Sequence, residues 1–304
     1  MKNMNSNIVI VGISGESVFL ETDHFHRDGE TVSATNKVTE PGGKGYNQAV
    51  AASALGAKVT FLTTVGSDEY GKYAVEYLKN KNINVKYLII DGVSTAYATI
   101  LTDKMGKNQV TVFSGASGFL SKEDVSLIEE DIKNADYLLL QFEVNKEVLL
   151  ECIKIALKNN VKIVLNPAPA VFSINDAVYQ NVDILTPNEV EARDIFDIPS
   201  SLSVWEYGEY LKNKINNTVV ITLGDKGCLL VKSNYYKYFD PVKVKAVDST
   251  GAGDIFNASL VTMLSKGYDI EDAICFAVKV SAESVTKKHV MNAIEWVGKY
   301  RING

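Results

Sequence analysis

Asp248-Ser249-Thr250-Gly251-Ala252-Gly253-Asp254 runs directly into Ile255-Phe256-Asn257-Ala258-Ser259-Leu260, and the fold is read outward from this string. Two glycines and an alanine let the backbone approach a ligand closely, and the apolar run that follows predicts a helix. The unpaired N–H groups at the start of that helix, with its positive dipole end, can cradle an anion. Asp254 is then a puzzle, because a carboxylate competes with a bound phosphate for the same field. A carboxylate in the first turn also stabilises a helix without any chemistry, and for a lone G-x-G-D that reading wins. The full seven-residue string favours the other one, in which Asp254 takes a proton from a hydroxyl attacking phosphorus.

A second glycine-rich entry to a helix is Pro41-Gly42-Gly43-Lys44-Gly45-Tyr46-Asn47-Gln48-Ala49, which continues into Val50–Gly56. It lacks both the spacing and the hydroxyl of a P-loop. Gly12-Ile13-Ser14-Gly15 likewise lacks the G-x-G-x-x-G of a dinucleotide site. Tight helix packing alone would explain such a loop.

Between these strings, short apolar runs alternate with segments of helical spacing. Ile8–Val11, Val59–Thr63, Tyr137–Phe142, Lys162–Leu165, Asp183–Leu185 and Val219–Leu223 read as strands. Asn47–Leu55, Tyr73–Lys81, Lys146–Lys158 and Val204–Ile215 read as helices. Buried runs separated by helices predict an α/β protein with a mainly parallel sheet covered on both faces. Val18–Lys37 and Ala96–Phe113 break the rhythm, with alternating polarity and turns at Arg27-Asp28-Gly29-Glu30 and Met105-Gly106-Lys107. They read as hairpin-like additions, forming either a small sheet over the site or surface decoration. No repeat or linker divides the chain, so one domain over residues 1–304 is expected, with lid segments at about 15–42 and 95–117.

The composition excludes several classes. A net charge of −6 gives no support to nucleic-acid or anionic-membrane binding, and the 15 tyrosines show no regular spacing with basic residues. The N-terminus is too polar for a secretion signal and no run is long enough to span a bilayer, so a cytoplasmic chain is expected. Cys152, Cys228 and Cys275 each fall in an apolar run and read as reduced, buried thiols. His24-Phe25-His26 would share a face in a strand, but no third ligand lies nearby to complete a metal site. Only Arg27, Arg193 and Arg301 are arginines among 31 basic residues, so any phosphate must be held by backbone N–H groups, lysine and a metal.

Taken together, the two glycine strings resemble the N- and C-terminal signatures of the ribokinase/PfkB carbohydrate kinase family. Asn166-Pro167-Ala168-Pro169-Ala170, Thr186-Pro187-Asn188-Glu189 and Thr222-Leu223-Gly224-Asp225-Lys226-Gly227 fall between them in that family's order. The resemblance runs from Ile8 to about Lys288. It implies a three-layer α/β/α body with a β-sheet lid, sugar under the lid, ATP in a neighbouring groove, and a homodimer formed through the lid. Gly43, Lys44, Asn47 and Glu143 would touch the sugar. Asn188 and Glu191 would organise Mg²⁺ near the phosphates, while Thr222, Gly224 and Gly227 would line the nucleotide groove. Gly251, Ala252 and Gly253 would form the anion hole with Asp254 as base, and Asp248 and Thr250 match positions that hold an activating K⁺. The reaction implied is transfer of the ATP γ-phosphoryl group to a primary sugar hydroxyl.

Several positions depart from the pattern. Gly15 and Ser17 stand where the family carries an Asn-x-Asp pair that binds ribose hydroxyls, which leaves the acceptor open. A nucleoside kinase on the same fold, or a catalytically weak sugar-binding sensor, are the alternatives. His289-Val290-Met291 follows Thr286-Lys287-Lys288 in place of the small residues whose carbonyls reach the monovalent cation. Val278 replaces an asparagine near the adenine and makes the base pocket more apolar.

Overall fold

The computed structural model describes residues 6–169 and 177–302. In chain order the first part comprises β1 (Asn7–Val11), β2 (Gly15–Thr22), β3 (Asn36–Gly42), α1 (Lys44–Ala54), β4 (Lys58–Gly66), α2 (Glu69–Asn80) and β5 (Asn84–Ile90). There follow β6 (Ala96–Asp103), β7 (Asn108–Phe113), α3 (Glu129–Lys133), β8 (Tyr137–Gln141), α4 (Lys146–Lys158), β9 (Lys162–Asn166), α5 (Ala177–Gln180) and β10 (Ile184–Leu185). The chain ends with α6 (Glu189–Phe196), α7 (Tyr207–Leu211), β11 (Thr218–Thr222), β12 (Cys228–Lys232), β13 (Tyr235–Phe239), α8 (Ala252–Ser265), α9 (Ile270–Ser284) and α10 (Val290–Val297).

Nine strands form the main sheet in the order β13-β12-β11-β10-β9-β8-β1-β4-β5. From β10 to β5 all neighbours are parallel, and only β12 and β13 add an antiparallel edge. Strand residues alternate between two cores. Ile8, Ile10, Phe61, Leu139 and Val164 pack under α1, α8, α9 and α10. Val9, Val11, Leu62, Leu138 and Leu140 pack on the opposite side with α4, α6 and α7. Period-2 alternation with both faces apolar is what produces three layers rather than two.

β1 lies between β8 and β4, so the chain proceeds outward from it in both directions. A sheet whose order reverses there opens a crevice beyond the carboxyl ends of the strands, where ligands bind in open α/β sheets. The second sheet has four strands in the order β3-β2-β6-β7. Its two hairpins are the additions expected from the sequence, joined through the parallel β2–β6 pair. Because β3 ends at Gly42 and α1 begins at Lys44, this sheet is rooted in the second glycine string.

Three details differ from expectation. Cys275 is exposed, since it sits on the outer side of α9, whereas Cys152 and Cys228 are buried. The helix expected over Val204–Ile215 is a 3₁₀ turn, Val204–Glu206, followed by the short α7, because the segment turns to enter β11. β2 ends at Thr22, so His24 and His26 share no strand face; His24 Nε2 instead meets Glu30 Oε1 at 2.9 Å. Among the described residues no helix is long and apolar enough to cross a membrane.

Phe61 is fully buried at the centre of the first core, edge-on to Tyr46 at 6.3 Å between ring centroids. Replacing Phe61 by Ala is expected to lower stability by about 3–5 kcal/mol, read from the urea midpoint at unchanged slope.

Candidate active site

The glycine-rich strings converge because α1 and α8 pack side by side over the sheet, with the start of α1 against the end of β1. Gly43, the N-cap of α1, adopts φ 115°, and a Cβ there would come within 2.6 Å of the Ile13 carbonyl oxygen. Gly12 and Gly45 touch directly, a Cβ on either falling 2.7 Å from the other's Cα. Only glycine allows the start of α1 to sit against the end of β1 in this way. Gly251, at φ 76°, caps α8 and places Asp254 in its first turn.

Asp254 is buried at 8% exposure. Asn47 Nδ2 donates to its Oδ2 at 2.8 Å, and Gln48 Nε2 donates to its Oδ1 at 3.0 Å. Consecutive side chains of one helix thus hold both oxygens of a carboxylate on another. Burial raises the Asp254 pKa, while Lys44 and the two amides act to lower it. Gln48 is itself fixed: its Oε1 accepts from Gln141 Nε2 at 2.6 Å, and its Nε2 also reaches Asn166 Oδ1 at 3.2 Å. Behind Asp254, Asn257 Nδ2 donates to the Gly253 carbonyl at 2.9 Å and holds the turn above it.

Lys44 is the charge at the centre of the cluster. Burial alone would lower its pKa, but the carboxylates of Asp254, Glu143 and Glu191 hold it above the ordinary lysine value. Glu143 accepts the Gly45 N–H at 3.2 Å and the Lys44 N–H, so it caps α1 across the crevice. Burial pushes its pKa up to about 7 despite Lys44. Asn188 and Glu191 form a reciprocal capping box at the start of α6, with both hydrogen bonds at 2.9 Å. Burial also raises the Glu191 pKa, partly offset by the Asn188 N–H and by Lys44.

On the other side of the α8 start lies a cavity of about 650 Å³, lined by Thr222, Gly224, Gly227, Ala252, Gly253 and Val278 among others. A Cβ at Gly224 or Gly253 would meet no atom, so both backbones face open space. Val242, Val244, Phe256 and Val285 make most of the remaining wall apolar. The Ala252 N–H closes a turn on the Ser249 carbonyl at 3.2 Å, which turns it away from the anion hole expected of it. Asp248 staples the approach to α8, accepting Thr250 N–H at 3.0 Å and His289 N–H at 2.9 Å.

The structure therefore brings Lys44, Asn47, Glu143, Glu191 and Asp254 into one electrostatic cluster and gathers Thr222, Gly224, Gly227 and Gly253 around a neighbouring cavity. Gln48, Gln141 and Asn166 were not among the expected site residues, yet Gln48 holds Asp254 and the other two hold Gln48. Gln141 and Asn166 end apolar strand runs and Gln48 precedes an apolar helical one, but nothing local says that they meet. Ala170 lies outside the described residues. Ser17 Oγ lies directly against Gly42, and the Glu16 charge lies near enough to Tyr70 to help raise its phenol pKa, after burial.

The model of the "pfkB family carbohydrate kinase" matches residues 5–297. A ribokinase of Haemophilus influenzae is 34% identical over 294 residues, covering 96% of this chain and 96% of that protein. A deoxyribokinase of Salmonella typhi is 31% identical, with 93% of each chain covered. The solved structure of a ribokinase from Arabidopsis thaliana, complexed with ribose and ATP, superposes with a TM-score of 0.83 at 25% identity, covering 98% of this chain and 99% of that one.

The raised pKa of Glu143 makes a testable pH dependence. A carboxyl whose folded value stands above its ordinary 4.5 contributes stability below that value and loses it as pH rises through about 7. Between about pH 5 and pH 8 the melting temperature of the wild type should fall relative to that of Glu143→Gln, measured by scanning calorimetry. A constant difference between the two proteins across that range would remove the assignment.

Proposed function

The chain belongs to the pfkB family of carbohydrate kinases and is an ATP-dependent kinase of ribose or a related sugar; on that premise we propose that Asp254 is the base of the transfer. One observation carries this reading: a buried carboxylate in the first turn of α8, held by two amides beside Lys44, at the edge of a cavity with open glycine backbone.

In this mechanism the sugar's primary hydroxyl lies between Asp254 and Lys44. Asp254 accepts the hydroxyl proton as the oxygen bonds to the γ-phosphorus, and the bond from that phosphorus to the bridging oxygen breaks to release ADP. Asn47 and Gln48 aim the carboxylate at the hydroxyl and leave no freedom for it to turn towards the phosphate. The backbone at Gly251 and Gly253, with the positive end of α8, stabilises the charge on the transferring group. Lys44 favours the ionised form of Asp254 against the burial that raises its pKa, and Glu143 fixes the loop that carries Lys44. The small sheet acts as a lid that excludes water, which would otherwise compete as acceptor.

Mg²⁺ would neutralise charge on the phosphates. Asn188 and Glu191 would fit that part, because amide and carboxylate oxygens suit a hard ion that keeps most of its waters. Among the described residues no three acidic, histidine or cysteine side chains cluster to cage an ion directly. Both oxygens of Asp248 accept backbone N–H groups, which supports a stapling part for this residue. The apolar walls of the cavity support ATP held mainly by the shape of the base pocket. We place a second copy of the chain along β7, an unpaired edge whose Val110 and Val112 are 59% and 58% exposed.

ADP release across pentoses, deoxypentoses, hexoses and nucleosides tests the reading, with a pentose or deoxypentose expected to respond best. With that acceptor, Asp254→Asn should bind sugar normally and lose about 10²–10⁴-fold in kcat. Near-normal turnover in the variant would remove Asp254 as base, whereas a nucleoside saturating at far lower concentration than any sugar would overturn the acceptor class.

A further inference from the structure

Glu40 lies on β3, two residues before Gly42, and is 8% exposed. Its Oε2 accepts the Val290 N–H at 3.0 Å, and the Met291 N–H is a second donor to the same carboxylate. These two residues open α10, so the helix start supplies both the hydrogen bonds and the favourable dipole that a buried carboxylate requires. Two other contacts join the small sheet to this segment, the Lys288–Glu21 ion pair and the Phe19–His289 ring contact at 6.1 Å. The ion pair is solvent-exposed and contributes little. Glu40 is the buried attachment.

What lies beyond Val290 gives the attachment its consequence. A Cβ added to Gly251 would come within 2.7 Å of Val290 Cγ1, so the Val290 side chain packs directly on the residue that caps α8. Next to Val290, His289 donates its N–H to Asp248, whose other oxygen holds Thr250. Glu40 is therefore one hydrogen bond and one packing contact away from the loop that heads Asp254. In the other direction β3 leads within four residues to Lys44. Asn47 and Gln48 fix α1 to α8 on the far side of Lys44, and Glu40 fixes the strand that enters it.

We propose that Glu40 is a positioning residue that sets the separation between the acceptor loop, Gly42–Lys44, and the phosphoryl loop, Thr250–Gly253, by tethering the small sheet to the start of α10. The proposal rests on the kinase reading for its effect on turnover. Each half of the site stays intact when the tether is cut, but the acceptor hydroxyl and the phosphorus are no longer held at a fixed approach. Misplacement by about 1 Å can cost on the order of 10²-fold in rate without a comparable loss of binding.

Glu40→Ala and Glu40→Gln test it. Glu40→Ala should lose about tenfold or more in kcat, while the dissociation constants of sugar and of a non-hydrolysable ATP analogue, each measured by calorimetry, stay within about twofold of wild type. Glu40→Gln keeps one oxygen for the Val290 N–H and should recover most of the loss. Should the alanine variant fail to fold, the glutamine variant carries the test, with an expected loss of about threefold in kcat at unchanged dissociation constants. Amide hydrogen exchange at Val290 and Met291 should quicken in Glu40→Ala, and this readout holds whether or not any acceptor is phosphorylated. Failure of the wild type to release ADP on the acceptor panel would count against the kinase reading, while unchanged exchange would count against the tether. A folded Glu40→Ala with wild-type kcat, or one whose sugar affinity falls in step with kcat, would overturn the proposal.

Discussion

The buried carboxylate of Asp254 is the constraint around which the rest of the site is arranged. A carboxyl group removed from water needs hydrogen bonds and an opposite charge if it is to ionise, and here one helix offers both. Asn47 and Gln48 supply the amides and Lys44 the cation, all within the first turns of α1. For α1 to come that close to α8, its N-terminus must rest on the end of β1, which is why Gly12, Gly43 and Gly45 carry no side chains. The glycines of one motif thus exist to serve the carboxylate of another. Gln141 and Asn166, at the ends of β8 and β9, then hold Gln48 in place.

The sheet determines where this can happen. Because β1 is flanked by β8 and β4, loops leaving the carboxyl ends of strands on both sides open into one crevice. Glu143 follows β8, Asn188 follows β10 and Gly224 follows β11, so residues far apart in sequence reach a common space. Lys44 then faces three carboxylates at once, and the result is a lysine kept charged and carboxyls that resist ionisation. Such an opposed set suits proton transfer, since each group's protonation responds to what binds beside it.

The departures from the family pattern gather in two places. At the first, Gly15 and Ser17 stand where the family pattern carries an Asn-x-Asp pair, and Ser17 packs against Gly42. At the other end, His289 takes a backbone conformation with φ 71° that favours glycine, held there by the Asp248 carboxylate and the ring of Phe19. Both places lie along the seam between the small sheet and the body. Val290 and Met291 also pack into the first core, so the seam is continuous with it.

The sequence by itself determined the layered α/β body, because strand runs apolar on both faces can only be buried between helices. It also determined the two glycine strings and Asp254, because close backbone approach and a carboxylate at a helix start are local properties of a few adjacent residues. It could suggest the two hairpins but not their union, since the β2–β6 pairing joins segments separated by three strands and two helices. The exposure of Cys275 and the break in the expected 204–215 helix were equally hidden, because each depends on which side of an element meets solvent or must turn. That Gln48 would hold Asp254, that Glu143 would cap α1 and that Glu40 would meet α10 followed from the packing of distant elements. Each of these is a buried polar group satisfied by a partner at least 98 residues away. Hydrogen bonds of that kind are fixed by where the folded chain places the two ends, and no local pattern of residues encodes that placement.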